Sequence, residues 1–106
     1  MKPVFESRDV FAIHEENHGI IGVADCAFSA AQLIISQDWV TPYEEVWCAH
    51  DKQYITVHEA MERLGYLHDD DAFRDFCADM FEDKHEGYDW GFHLSSMKFW
   101  ERRTIA

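Results

Sequence analysis

Apolar and polar positions along this chain change period several times, and each change predicts an element. Val10-Phe11-Ala12-Ile13-His14 predicts a strand, Glu15-Glu16-Asn17-His18-Gly19 a turn, and Ile20-Ile21-Gly22-Val23-Ala24 the returning strand. An Asn and a Gly in a short polar loop between β-branched runs is a hairpin signal. A helix should follow at once, with Asp25 as its N-cap and Phe28, Ala31, Leu33, Ile34 and Ile35 as its apolar face. It should end near Asp38-Trp39. Thr41-Pro42 predicts a turn, because proline disfavours helix in the residue before it, and Glu45-Val46-Trp47-Cys48-Ala49 a short strand.

Thr56-Val57-His58-Glu59 is a capping-box pattern, in which a threonine oxygen and a glutamate three residues later satisfy free amides reciprocally. The helix it opens, residues 57–64, should stop at Gly65, which suits a left-handed cap. A further helix is predicted from near Asp70, where three aspartates favour the positive end of a helix dipole. Phe73, Phe76, Cys77, Met80 and Phe81 give it a core-facing stripe at i, i+3, i+4, i+7, i+8 spacing. From Phe92 to Glu101 the pattern becomes an imperfect alternation, predicting a strand with a bulge or bend near Ser95-Ser96. The expected fold is therefore α+β, a single domain over residues 1–106. It should hold a three- to four-stranded antiparallel sheet with two to three helices on one face.

Composition supports a packed core. Of the 106 residues, 47% are hydrophobic and 15% aromatic, which disordered chains lack. No apolar run approaches the roughly 20 residues that cross a bilayer, so no membrane partner is expected. The opening Met1-Lys2-Pro3-Val4-Phe5-Glu6 lacks the charged and apolar regions of a secretory signal, which predicts a cytoplasmic protein. Three widely spaced cysteines, Cys26, Cys48 and Cys77, fit reduced and mostly buried thiols rather than a disulfide.

Seven histidines among 21 carboxylates raise the question of a metal. His58-Glu59-Ala60-Met61-Glu62 begins like the zinc-protease helix, but Glu62 stands where the second histidine is required. His14 and His18 fall on a strand and a turn, and His50, Asp51, His68, Asp69, Asp70 and His85 would converge only through the tertiary fold. Nucleophile elbows and glycine-rich phosphate loops are absent from the sequence, and nothing singles out a catalytic pair among the acids. The expectation is a binding protein with no catalytic residue, cofactor or metal.

Charge points the same way. Nine Lys and Arg stand against 21 Asp and Glu, a formal net charge of −12, which repels nucleic acid and attracts basic surfaces. Between Tyr66 and Trp90 nine acids face only Arg74 and Lys84. On the predicted third helix Asp71, Asp75, Asp79, Glu82 and Glu86 recur every three or four residues, away from Phe73, Phe76 and Phe81. Carboxylates four apart stand roughly 6 Å apart along a helix axis, an interval comparable to that of nucleic-acid phosphates. Like charges at i, i+4 cost about 0.2–0.5 kcal/mol per pair, so repeating them favours a use. The candidate partner-binding residues are Asp70, Asp71, Asp75, Asp79, Glu82, Asp83, Glu86 and Asp89. A solvated helix face would read the same way. Tyr43, Trp39, Trp47, Tyr88 and Trp90 flank acidic or loop segments as candidate anchors. Lys98, Arg102 and Arg103 could pair with the acidic helix, in the same chain or in a homodimer.

The run Val10-Phe11-Ala12-Ile13 to Gly22-Val23-Ala24-Asp25-Cys26, followed by Ala30-Ala31-Gln32-Leu33-Ile34, resembles the opening of small phage and mobile-element accessory proteins. Some acidic proteins of that kind are anti-CRISPR inhibitors. The resemblance implies a phage-encoded inhibitor in the cytoplasm of a host bacterium. Its acidic face would occupy the basic DNA-binding site of a nucleic-acid-binding protein such as a CRISPR effector complex. The alternatives are an immunity-type or regulatory interaction module that does not imitate DNA, and a metal-binding domain.

Overall fold

The computed structural model describes residues 4–103 of the chain, with the side chains of residues 10–96. The fold is α+β: six strands and three helices, the strands forming two three-stranded antiparallel sheets. Strands β1 (Val4–Glu15) and β2 (Gly19–Ala24) form the predicted hairpin, its turn closing at Gly19 with φ +74°. The last strand, β6 (Phe92–Arg103), lies on the other side of β1, giving the order β2-β1-β6. Its register with β1 is unbroken from Glu15↔Phe92 to Val4↔Arg103, so the bulge expected at Ser95-Ser96 does not occur. The irregularity falls between β1 and β2, at Ile13/His14.

Strands β3 (Glu45–Cys48), β4 (Gln53–Thr56) and β5 (Tyr88–Trp90) make the second sheet, with β3 in the centre. β4 and β5 have only four and three residues, too few to show a period beside neighbouring helix and turn signals. The chain passes from one sheet to the other through Gly91, whose carbonyl accepts the Glu16 amide at 3.0 Å.

Helix α1 (Ala27–Ile35) is capped by Cys26, whose Sγ accepts the Ser29 amide, rather than by the expected Asp25. It ends at Ile35, three residues before Asp38, and buries Ala30, Ala31 and Ile34. Phe28, assigned to the apolar face, is exposed. Helix α2 (Val57–Arg63) starts where predicted, with Thr56 Oγ1 accepting the Glu59 amide at 3.1 Å, but the Glu59 carboxylate accepts from Arg63 rather than returning to the Thr56 amide as a capping box expects. It stops through paired backbone bonds, Gly65 N to Glu62 O and Tyr66 N to Met61 O, with Gly65 left-handed at φ +86°. Helix α3 (Asp70–Phe81) packs on α1 and buries Phe73, Phe76, Cys77 and Met80. An aromatic seam joins the sheets to α3: Trp90 lies 5.0 Å from Phe92 and 5.1 Å from Phe81 between ring centroids. Cys48 and Cys77 are buried and Cys26 exposed, all three as free thiols.

Candidate functional site

The sequence places its densest charge on α3. Asp69 caps the helix, Oδ1 accepting the Ala72 amide at 2.7 Å. Asp70 and Asp71 then occupy the first turn, where the unsatisfied amides favour negative charge. Asp70, Asp71 and Asp75 are all exposed, Asp71 with 83% of its side chain in solvent.

Arg74 lies between two of them. Its guanidinium sits 4.9 Å above the centroid of the Phe28 ring on α1, a cation–π arrangement that explains why Phe28 is left outside the core. From there Nη1 reaches Asp71 at 3.3 Å and Nη2 reaches Asp75 at 3.4 Å, while the buried Nε has no partner among the described residues. One cation, held by the neighbouring helix, therefore serves both carboxylates.

Asp79 differs from the others. Its side chain is only 30% exposed, and Oδ2 accepts the hydroxyl of Tyr66. His85 Nε2 lies 2.6 Å from the same Tyr66 oxygen. The tyrosine has one proton, and it goes to Asp79, so the histidine must donate. Burial, then the bond to Asp79, raises the Tyr66 phenol well above its ordinary value. Burial also lowers the His85 imidazole, outweighing the attraction of Asp79. The ring is thereby held neutral, stacked on Phe76 at 5.9 Å. Asp79 is committed to this internal network.

The helix does not continue to Glu86 as expected. It ends after Phe81, with Glu82 as its C-cap. Asp83 N bonds Met80 O and Lys84 N bonds Asp79 O, both at 3.1 Å, around a left-handed Asp83 at φ 55°. These are the paired bonds that end α2, built on an aspartate instead of a glycine. Lys84 then turns back, its Nζ 2.8 Å from Glu82 and 3.6 Å from Asp79. The hydrogen bond to Glu82 raises its pKa above the ordinary lysine value.

Glu86 is exposed beyond the turn, and Asp89 is exposed on β5, opposite Trp47 in the β3–β5 register. Asp79 aside, the site residues thus divide into three places. Asp70, Asp71 and Asp75 lie on α3; Glu82, Asp83 and Glu86 surround its C-terminal turn; Asp89 belongs to the second sheet.

Elsewhere the charge is similarly one-sided. Residues 10–96 contain 18 Asp and Glu but only Lys52, Arg63, Arg74 and Lys84. Arg63 is engaged too, with Asp51 at 2.6 Å and Glu59 at 3.0 Å. Arg8, Lys98, Arg102 and Arg103 sit on the paired backbones of β1 and β6, and the expected contacts of Lys98, Arg102 and Arg103 with acids concern side chains outside the described set. Among the described residues no group of three or more His, Cys, Asp or Glu could hold a metal, and no helix is long and apolar enough to cross a membrane.

Of the five candidate aromatic anchors, Tyr43 and Trp39 are exposed and Trp47, Tyr88 and Trp90 are half-buried. Tyr54, which the sequence did not single out, is exposed beside Trp47. No protein-family model, curated protein or solved structure matches the chain.

Proposed function

We propose that this chain is an acidic binding protein that occupies the cationic nucleic-acid site of a partner and so inhibits it. The observation that carries the reading is the surface at α3. Six carboxylates (Asp70, Asp71, Asp75, Glu82, Asp83 and Glu86) are exposed there, while the two local cations, Arg74 and Lys84, are already engaged by acids of the same face. A groove built to neutralise phosphates would find carboxylates on a rigid helix and its stiff C-terminal turn. An effector that holds DNA in a basic channel, as CRISPR complexes do, is the sharpest form of such a partner. The imitation is of charge density over a face; the uninterrupted helical row expected from spacing is not needed for it.

The test has two stages. The tagged protein captures partners from a nuclease-treated bacterial lysate, and each captured protein is purified and assayed for displacement of its own nucleic acid at rising salt. The reading requires displacement that weakens steeply with salt. It also requires that an Asp70→Lys, Asp71→Lys, Asp75→Lys variant lose displacement while keeping its fold. A partner that holds its nucleic acid and this protein together would overturn the reading.

A further inference from the structure

A cleft of about 500 Å3 lies away from the outer side of α3, where the β1–β2 turn meets the second sheet. Its volume falls in the range of about 300–1,000 Å3 typical of ligand sites. Five carboxylates line it, Glu15, Glu16, Glu44, Glu45 and Asp89, and among the described residues no Lys, Arg or His does. Glu15 is satisfied within its own turn, accepting the Asn17 and His18 amides at 2.9 and 2.7 Å and the His18 ring. Among the described residues the other four form no ion pair.

The floor is aromatic for a reason that lies in strand geometry. Along β3, Val46 and Cys48 point into the core, so Glu45 and Trp47 point the other way. Register then sets Tyr54 on β4 and Asp89 on β5 to either side of Trp47. The outer face of the second sheet thus reads tyrosine, tryptophan, aspartate across its three strands. Trp47 and Tyr54 meet edge to face with centroids 5.1 Å apart, and Tyr54 leaves 62% of its surface in water. Tyr43, also on the cleft wall, leaves 76%. Folding alone gives no return for holding large rings in solvent beside unneutralised acids.

We propose that this cleft binds an arginine side chain from a basic segment of the partner protein. A guanidinium is flat and weakly hydrated, stacks on aromatic faces, and donates to carboxylates through a rigid fork. Aromatic floor and acidic wall match those two properties together, and a field of one sign draws the cation in. Phosphates and carboxylate ligands would be repelled by every carboxylate on the wall. Lysine satisfies the wall but uses the floor less well. The proposal rests on the reading that the partner is basic, and it adds the side chain that is gripped.

The experiment titrates the full chain with Gly-Arg-Gly-Arg-Gly and with the same peptide carrying citrulline, the uncharged isostere of arginine. Binding is read by calorimetry and by proton–nitrogen and aromatic NMR shifts. The arginine peptide should bind, moving the Trp47 indole and Tyr54 ring resonances, and the citrulline peptide should bind at least about tenfold more weakly. Tyr54→Ala and Glu45→Gln, both at exposed positions, should each weaken the arginine peptide several-fold. Equal binding of the two peptides, no binding of either, or shifts confined to α3 would each overturn the proposal. Those failures would leave the displacement assay untouched, because that assay is carried by Asp70, Asp71 and Asp75. Displacement without arginine binding would refute the cleft alone, and arginine binding without displacement would refute inhibition alone.

Discussion

On the outer side of α3 every carboxylate from Asp71 to Glu82 lies within 4 Å of Arg74 or Lys84, whereas around the cleft Glu16, Glu44, Glu45 and Asp89 have no cation among the described residues. The two regions look alike as sequence, since each is a short stretch rich in acids. They differ because α3 and its C-terminal turn bring one arginine and one lysine within reach of four acids one to five residues away. The strands of the second sheet bring aromatics beside the acids instead. Charge density along a chain therefore does not measure available charge. On α3 it is partly used to hold the helix, and in the cleft it is left for something else.

That difference predicts unequal costs of removing one carboxylate. Asp79→Ala should destabilise the fold by about 1–3 kcal/mol, because the half-buried Tyr66 hydroxyl loses its charged acceptor. Glu45→Ala, in the cleft, should stay within about 0.5 kcal/mol of wild type, as exposed positions without partners generally do. Urea midpoints at constant slope read both values. Similar losses for the two would erase the distinction between structural and available carboxylates.

Acidity sharpens the comparison further. Burial holds His85 below its ordinary value of 6.5, so the unfolded chain takes up a proton that the native ring resists. Its contribution is complete above pH 6.5 and is lost as pH falls from there. Glu15 follows at lower pH. Burial would raise its carboxyl, but the bonds from His18 and the Asn17 and His18 amides outweigh that and lower it below 4.5. Its stabilisation is present above 4.5 and lost as pH drops through the native value. Tyr66 works at the other end. Its raised phenol contributes below about pH 10 and is lost in stronger base. Thermal midpoints should thus fall between pH 7.5 and 5.5, and His85→Gln should flatten that fall. An unchanged slope in the variant would remove His85 from the α3 network.

Much of the architecture was legible because long periodic segments carry their own signal. The α3 stripe of Phe73, Phe76, Cys77 and Met80, the Thr56–Glu59 cap and the Gly65 stop all stand where spacing and chemistry put them. Two short strands were not legible, and with them went the second sheet and its cleft. Asp89 is legible as an acid but not its neighbours, since only the β3–β5 register sets it beside Trp47. α3 ends before Glu86 because an aspartate, not a glycine, takes the left-handed position, a stop that spacing does not announce. Arg74 could be counted from sequence, but its seat over Phe28 depends on how α1 crosses α3.

The smallest expected effect concerns that left-handed aspartate and its counterpart in the β3–β4 turn. Among the described residues only Asp83 and Lys52 are non-glycine residues at positive φ, 55° and 54°. Asp83 ends α3, and Lys52 closes the turn between β3 and β4. A side chain in this conformation costs roughly 1–2 kcal/mol, less for aspartate, whose short polar group bonds locally. Glycine removes that strain but gives the unfolded chain more freedom, worth about 0.5–1 kcal/mol in the opposite direction. Lys52→Gly should therefore stabilise by about 0.5 kcal/mol, and Asp83→Gly should change stability by only a few tenths. At about 4–8 °C per kcal/mol for a domain near this size, the first is a rise of roughly 2–4 °C in the thermal midpoint. A larger gain at Asp83 than at Lys52 would mean that the α3 terminus is the more strained of the two, and that its acid is kept there against the preference of the backbone.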